Sequence, residues 1–358
     1  MRLQKMMLLT ATAGTFTFVA CKKDNDPVIV IPPSTGAQVQ FNGLAGSEPG
    51  SAAGNAVFLD LSTDKQTALA RAGWDLGFYS GAEFRVILNN TASAGVKVLT
   101  SNDLTTVVAA DTVGLTLATS QINPLPEQLS YFDDINGDIT KTAIPAVSAT
   151  DAENKVIILN RGTGGSLPAR AWIKLRVLRN GTGGYTLQYA GIQETTFKTM
   201  QIAKDAIFHF KLVSIENGVL ASGLPEKDKW DITWSYSVFQ TDFGGGMVPY
   251  NFSDLIAVNH LAGVTAAQKT YADPATAAAA FTAFDRDSVA KTTQVTGRWT
   301  IGSTWRSTQP ATGANLKSFY VIKDAAGNFY KLKCLAMGVG TDGGTRGKPE
   351  FSYALIAK

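Results

Sequence analysis

The sequence predicts a mainly β protein built as two tandem units of antiparallel sheet, with one short helix in each unit. Short runs of alternating apolar and polar residues are typical of half-buried strands. The 358-residue chain contains 34 glycines, which suit tight turns between strands. Its length allows about two domains of ordinary size. Related segments also recur in the two halves of the chain, so an internal duplication is the simplest interpretation.

The first twenty residues are typical of a secretory signal peptide. Arg2 and Lys5 precede an apolar stretch that is too short to span a membrane as a helix. The stretch ends at Ala20 and Cys21, and this arrangement resembles the lipobox of bacterial lipoproteins, in which the cysteine becomes the acylated N-terminus. An ordinary secreted protein that loses Cys21 with its signal is the alternative. Residues 21–37 then predict a lipidated cysteine and a polar tether.

Two Trp-Asp pairs mark the predicted units. "WDLGF" begins at Trp74 and follows the alternating run "NAVFLDLSTD", while "WDITW" begins at Trp230 and follows "DAIFHFKLVS". We therefore predict a first β unit at residues 38–196 and a second at residues 205–358, each with its own core. Both tryptophans are then scaffold residues, each buried by its own sheet.

Other segments align in the same order. "NPLPEQLSYFDD" and "DPATAAAAFTAFDRD" each open with Asn or Asp before Pro, which predicts a short helix in each unit. "AWIKLRVLRNGTGGYTLQYAGI" and "SFYVIKDAAGNFYKLKCLAMGV" predict hairpins that turn at Asn180-Gly181 and Gly327-Asn328. "LNNTASAGV" aligns with "VNHLAGV", so His260 replaces Asn90 of the first unit.

The composition favours a binding protein over an enzyme. Only 17% of residues are charged and the net charge is +3, so nothing indicates a nucleic-acid surface. His209 and His260 are the two histidines, which leaves little support for Ser-His-Asp catalysis. Cys334 alternates in phase with apolar residues and is predicted to be a buried structural thiol. The acidic run at residues 133–138 is predicted to be a solvated turn, because its glycine is misplaced for a calcium loop.

Two residues that distinguish the second unit are candidate ligands for haem iron. His260 stands where the first unit has Asn90, and Met247 lies in "FGGGMVPYNF", which the first unit lacks. Imidazole and thioether groups are both competent axial ligands. Tyr250 and Phe252 are the candidate pocket lining. A turn-filling methionine and a surface histidine are the alternative readings.

His209 is a further histidine whose environment the pattern addresses. In "IFHFKLV" it alternates in phase with Lys211 and out of phase with the apolar residues. The pattern therefore predicts that His209 faces water or a neighbouring strand.

The ordered motifs "WDLGF", "KWDITW", "YNFSDLIAVNHLAGV", "IGSTWR" and "FYVIKDAAGNFYKLKCLAM", together with the cysteine motif, resemble the HmuY-type lipoproteins of Bacteroidetes. The resemblance implies an all-β fold and lipid anchoring in the outer membrane, facing outside the cell. It also implies capture of haem, free or from a haem protein, and its transfer to a TonB-dependent receptor. Members hold iron through paired histidines or paired methionines, and neither pair falls on matching positions here.

A second function remains open at the sequence level. The chain could be a cofactor-free surface module that binds a glycan, a peptide or a partner protein through the aromatic loops around Tyr250 and Phe252. Uptake of haemin, read from its Soret absorption band, discriminates between the two functions.

Overall fold

The computed structural model describes residues 32–356 of the chain. The predicted signal peptide, Cys21 and most of the predicted tether lie outside the described residues. The first strand begins at Gly36, just inside the stretch assigned to the tether. Among the described residues, no helix is both long and apolar enough to cross a membrane.

The architecture is mainly β, as the sequence predicts. The first ten strands, in chain order, are β1 (Gly36–Gln40), β2 (Asn55–Asp60), β3 (Lys65–Ala70), β4 (Leu76–Tyr79), β5 (Val86–Leu88), β6 (Gly95–Val98), β7 (Ile157–Asn160), β8 (Ile173–Arg179), β9 (Tyr185–Gly191) and β10 (Lys198–Ile202). The later ten are β11 (Phe210–Ser214), β12 (Val219–Leu220), β13 (Ile232–Asp242), β14 (Met247–Val258), β15 (Thr265–Thr270), β16 (Arg306–Ser307), β17 (Gly313–Ala314), β18 (Ser318–Lys323), β19 (Phe329–Ala336) and β20 (Glu350–Leu355).

The helices are short and lie between strands. Two are α-helices, α1 (Pro274–Ala283) and α2 (Arg286–Val289). The 3₁₀ helices are Gly50–Ala52, Arg71–Gly73, Leu104–Thr106, Ala109–Thr112, Pro126–Tyr131, Asp151–Glu153, Gly164–Ser166 and His260–Ala262.

The predicted helix of the second half is confirmed. α1 follows Asp273, whose carboxylate accepts a hydrogen bond from the backbone N–H of Thr276, and Pro274 is its first residue. The helix of the first half is a 3₁₀ helix that starts at Pro126, two residues later than the Asn-Pro signal at Pro124. Leu125 precedes a proline and is extended, with φ −121° and ψ 141°, so a helix cannot begin earlier.

The strands form four larger antiparallel sheets and one two-stranded ribbon, β16–β17. Sheet I has the order β1-β20-β19-β18-β15 and sheet II the order β10-β9-β8-β7-β6. Sheet III has the order β12-β11-β4-β5 and sheet IV the order β14-β13-β2-β3. One apolar core lies between sheets I and IV, and a second lies between sheets II and III. The hairpins predicted at Asn180-Gly181 and Gly327-Asn328 are β8–β9 and β18–β19.

The two predicted units are not separately packed. In sheet IV, β2 of the first half pairs with β13 of the second, where Leu59 lies opposite Ile232. In sheet III, β11 of the second half pairs with β4 of the first, where Val213 lies opposite Leu76. Each half therefore contributes its first hairpin to a sheet of the other half. From Ser34 onward the described chain forms one compact unit, so the expectation of two independent cores is wrong.

The recurring aspartates tie together the exchanged hairpins. Asp75 donates its backbone N–H to Val213, and its carboxylate accepts from the N–H of Ile215 at 2.8 Å. Asp231 donates its N–H to Leu59 and accepts from the N–H of Leu61, also at 2.8 Å. Each carboxylate thus satisfies a backbone donor at the end of a strand from the other half. This shared bonding explains why Trp-Asp occurs twice.

The aligned asparagines also have equivalent roles. The Asn89 side-chain amide donates to the carbonyl oxygens of Trp74 and Arg71, at 2.8 and 2.7 Å. The Asn259 amide donates to the carbonyl oxygens of Trp230 and Lys227, both at 2.8 Å. The alignment of Asn89 with Asn259, and hence of Asn90 with His260, therefore corresponds to equivalent positions in the fold.

Candidate functional site

A cleft lies between sheets III and IV and is lined by residues of β2, β3, β5, β11, β13 and β14. Its cavity volume is about 180 Å³. This is far more room than a single buried water needs. Because the two sheets combine strands of both halves, the exchange of hairpins creates this cleft.

The walls of the cleft are mostly apolar and rich in aromatic rings. Trp74 and Trp230 both line it, and Phe58 meets Trp230 edge to face with ring centroids 5.1 Å apart. Trp74 is buried, as expected. Trp230 is only partly buried and packs on Phe58 of β2 from the other half, so the expectation that its own sheet buries it is wrong. Other lining residues with large apolar side chains are Leu69, Ile87, Phe132, Ile135, Phe210, Leu212, Leu224 and Trp299.

His260 lies in the cleft wall at the start of a 3₁₀ helix, directly after β14. Its Nε2 is 3.2 Å from the carbonyl oxygen of Gly137, and its Nδ1 is 3.4 Å from that of Val258. A neutral imidazole has one N–H donor and one lone pair, so it cannot donate to both oxygens. Burial, with a smaller contribution from Arg298, lowers the pKa of His260 and favours the neutral ring. One ring nitrogen therefore directs a lone pair at a carbonyl oxygen.

His209 lies in the same cleft, at the start of sheet III and just before β11. Its Nε2 is buried without a hydrogen-bond partner among the described residues. Burial, reinforced by the positive charge of Lys227, lowers the pKa of His209 to about 4, although an interaction with the Asn259 side chain opposes this shift. Of the two environments predicted for His209, water or a neighbouring strand, the structure shows a half-buried side chain in the cleft between two sheets. His209 immediately precedes the first residue of β11, and it lines the cleft beside Phe210 and Leu212.

A loop from the first half, residues 132–142, covers the part of the cleft next to His260. We call it the covering loop. Its Gly137 has a φ of 80°, and a Cβ there would lie 2.9 Å from the His260 ring. The Trp299 indole N–H donates to the carbonyl of Ile135 at 2.6 Å and holds the loop to the second half. The acidic run predicted to be a solvated turn is therefore part of the cleft wall.

The cleft contains one acidic and one basic side chain of special interest. Asp133 accepts hydrogen bonds from the N–H groups of Leu88 and Ala143, at 2.7 and 2.8 Å. Burial outweighs these bonds and raises the pKa of Asp133 to about 6. Arg298 lies over the Trp299 ring, 4.8 Å from its centroid. Burial lowers the pKa of Arg298 to about 10, so its guanidinium stays charged at neutral pH.

Met247 lies far from the cleft. It is the first residue of β14, and His260 lies two positions after Val258, the last residue of that strand. Eleven residue steps along an extended strand span roughly 35 Å, so both side chains cannot bind one iron atom. Met247 is instead 44% exposed at the tip of the β13–β14 hairpin. The predicted His260–Met247 ligand pair is therefore wrong.

Tyr250 and Phe252 do not line the cleft. They stack edge to face with centroids 5.5 Å apart, in a row of rings that continues through Phe239 to Trp299. Only Trp299, at the end of this row, belongs to the cleft wall. The two residues predicted as pocket lining thus support the wall from behind, and their edge-to-face packing covers much of the ring surface that an external ligand would need.

Comparison with known protein families agrees with the motifs and the fold. The family model described as HmuY protein matches residues 52–353. The chain belongs to the HmuY family. The single HmuY match runs across both predicted units and across the exchanged hairpins. No curated protein and no solved structure matches the chain.

The sequence did not predict four residues of the cleft wall: His209, Trp74, Trp230 and Arg298. The patterns around the first three favoured other roles. Arg298 occurs in "VTGRWT", with no periodic pattern around it. Among the described residues, no group of three or more His, Cys, Asp and Glu side chains is arranged to hold a metal ion. Any metal bound in the cleft would therefore need ligands of its own besides the protein's, as the iron in a porphyrin has.

Proposed function

We propose that this protein captures haem in the cleft between sheets III and IV, with His209 and His260 as the iron ligands. One observation carries the proposal. The chain contains two histidines, 51 positions apart, one just before a strand of sheet III and one just after a strand of sheet IV, and both line the same cleft. Two imidazole ligands are an established way for a protein to hold haem iron.

The state of the two rings supports metal binding. A histidine must be neutral to act as a ligand, because a proton on the nitrogen competes with the metal. Burial is the main reason why the pKa values of both His209 and His260 are lowered, so both rings are neutral at neutral pH. The His209 Nε2 lacks a partner among the described residues, and the two His260 nitrogens compete for one donor proton. Both rings thus have lone pairs to offer.

The walls suit a large flat apolar ring. The indole and phenyl groups around the cleft exclude water and offer broad contact surfaces. The covering loop places the Gly137 carbonyl against the His260 Nε2, so coordination through that nitrogen requires the loop to move. The proposed sequence is therefore a shift of the covering loop, entry of haem between the sheets, and ligation by both histidines.

Haemin titration tests the proposal. Wild-type protein should give a red-shifted Soret band and the low-spin spectrum of iron with two strong axial ligands. His209→Ala and His260→Ala should each leave a weaker, high-spin complex, and the double variant should lose the ligated spectrum. Met247→Ala is the matched control and should bind haemin as wild type does, since Met247 lies at the far end of β14. An unchanged Soret band in the double variant would refute the proposal.

We extend this proposal to the cellular context with the sequence motifs. Cys21 and its flanking residues support a lipid anchor in the outer membrane, facing outside the cell. Membership of the HmuY family supports transfer of the captured haem to a TonB-dependent receptor.

A further inference from the structure

We propose that Arg298 recognises a carboxylate group of the molecule bound in the cleft and makes the cleft selective for acidic porphyrins. This inference rests on the proposed haem binding and concerns a different part of the ligand. The two histidines would bind the iron, whereas Arg298 would bind a side group of the ring.

The bonding of Arg298 differs from that of the other arginines. Within residues 32–356, its side chain donates no hydrogen bond and forms no salt bridge. The exposed Arg286 shares this property, as expected for a side chain in water. The remaining described arginines each donate at least one side-chain hydrogen bond: Arg71, Arg85, Arg161, Arg170, Arg176, Arg179, Arg306 and Arg346.

Arg298 is half-buried in the cleft, and its side-chain nitrogens are not among the fully buried atoms that lack a partner. A cation partly withdrawn from water loses hydration and is stabilised when an opposite charge and acceptors replace that water. Burial is the main reason for the lowered pKa of Arg298. The guanidinium has five N–H donors in a rigid planar fork, and the Trp299 ring covers one of its faces. The N–H groups of this side chain are therefore available to an acceptor on a ligand.

The acidic neighbours of Arg298 do not accept hydrogen bonds from it within the described part of the chain. Asp133 and Asp134 lie near enough to raise the pKa of Arg298, but neither forms a salt bridge with it. Both carboxylate oxygens of Asp133 already accept from backbone N–H groups, those of Leu88 and Ala143. An Asp134 oxygen accepts from the N–H of Asp138 within the covering loop. These bonds hold the carboxylates in the loop and leave the guanidinium available.

A carboxylate is the group that best matches this site. Its two oxygens can accept two parallel bonds from the guanidinium fork, a geometry that a lysine cannot reproduce. Porphyrins of the haem type carry carboxylate side groups on an otherwise apolar ring. Arg298 lies in the same cleft as both histidines, so one molecule can meet all three.

The test compares protoporphyrin IX with its dimethyl ester, in which both carboxylates are blocked and no iron is present. Binding is followed by quenching of tryptophan fluorescence, since Trp74, Trp230 and Trp299 line the cleft. Wild-type protein should bind the free acid about tenfold more tightly than the ester, which is about 1.4 kcal/mol. Arg298→Gln should remove this preference by weakening binding of the free acid only.

Two further variants control for charge and folding. Arg298→Lys keeps the charge without the fork and should retain part of the preference, so it tests the idea even if the Gln variant folds poorly. Arg286→Gln removes an exposed arginine outside the cleft and should change nothing. Equal binding of acid and ester by wild-type protein, or equal weakening of both by Arg298→Gln, would overturn the inference.

The outcome separates this inference from the haem proposal. An acid preference that depends on Arg298, in a protein that never ligates haemin iron, would sustain the inference and refute the proposed iron ligation. Histidine-dependent ligation of haemin without any preference for the free acid would support the proposed iron ligation and refute the inference about Arg298. Failure of both porphyrins and of haemin to bind would refute both.

Discussion

Asp75 and Asp231 show how equivalent residues acquire different electrostatics. The Asp75 carboxylate is bonded by Arg161 at 2.9 and 3.1 Å and by Arg170 at 3.0 Å, all in a buried site. Asp231 is equally buried but forms no salt bridge within the described chain. The charged groups that act on it, Asp60 and Asp324, are acidic. Burial, with a smaller contribution from these two carboxylates, raises the pKa of Asp231 to about 7.

We expect opposite results from the same substitution at the two positions. Asp75→Asn leaves Arg161 and Arg170 buried without their shared counter-charge and should lower the free energy of unfolding by about 3 kcal/mol or more. Asp231→Asn keeps an acceptor for the Leu61 N–H and removes a poorly stabilised charge. It should therefore be neutral or stabilising at pH 8. Urea denaturation measures both changes.

The pH dependence of Asp231→Asn has a definite sign. The folded-state pKa of Asp231 is raised above its unfolded value, so the folded state binds more protons between about pH 4 and pH 7. Wild-type stability contributed by this group is complete below pH 4 and is lost as the pH rises through 7. The advantage of Asp231→Asn should thus be present at pH 8 and disappear toward pH 5. A pH-independent difference would contradict this assignment.

The exchanged hairpins are the elements that join the halves. Residues of β2 lie in the core between sheets I and IV together with residues of β13, β14, β18 and β19. Val213 of β11 and Ile215, the residue that follows this strand, lie in the core between sheets II and III with residues of the first half. Neither core is complete without a strand from the other half, because an unpaired β13 would expose its edge and lose apolar contacts.

A fragment that begins at residue 203 should therefore not fold on its own. It lacks β2 and β3, so sheet IV loses half its strands, and its β11–β12 hairpin has no sheet to join. We expect no cooperative thermal transition for this fragment, whereas the chain from residue 34 onward should melt in one step. Near-UV circular dichroism during heating makes the comparison. A cooperative melt of the isolated fragment would show that the halves fold independently.

At the scale of the whole molecule, the proposed binding function combines a cleft with an anchor. The cleft needs both halves, since sheets III and IV each contain strands from both. The anchor depends on Cys21, which lies outside the described residues. Stable attachment to a membrane requires more than one acyl chain, because a single chain binds only marginally.

Replacement of the anchoring cysteine tests this arrangement. Cys21→Ser removes the residue that would be acylated and should move the protein from the membrane fraction to the soluble fraction. Immunoblots of fractionated cells measure the change. Cys334→Ser is a suitable control because Cys334 is buried in the core and should not affect localisation. A Cys21→Ser protein that still sediments with the outer membrane would refute the lipid anchor.

The sequence by itself determined the features that depend on local patterns. Alternation predicted the strands, Asn180-Gly181 and Gly327-Asn328 predicted two hairpin turns, and Asp273-Pro274 predicted the start of α1. The ordered motifs identified the family. These signals are readable because a strand, a turn or a cap is specified by residues that are close together in the chain.

Only the tertiary structure decided which strands are neighbours. The alignment of Trp74 with Trp230 was sound, but it could not reveal that each Trp-Asp strand pairs with a hairpin of the other half. This pairing depends on contacts between residues about 170 positions apart, such as Leu59 with Ile232. It also places His209 in the cleft, because sheet IV, which combines strands of both halves, forms the facing wall. Met247 and His260 are close in the sequence but are separated by the length of β14, because an extended strand carries its ends far apart.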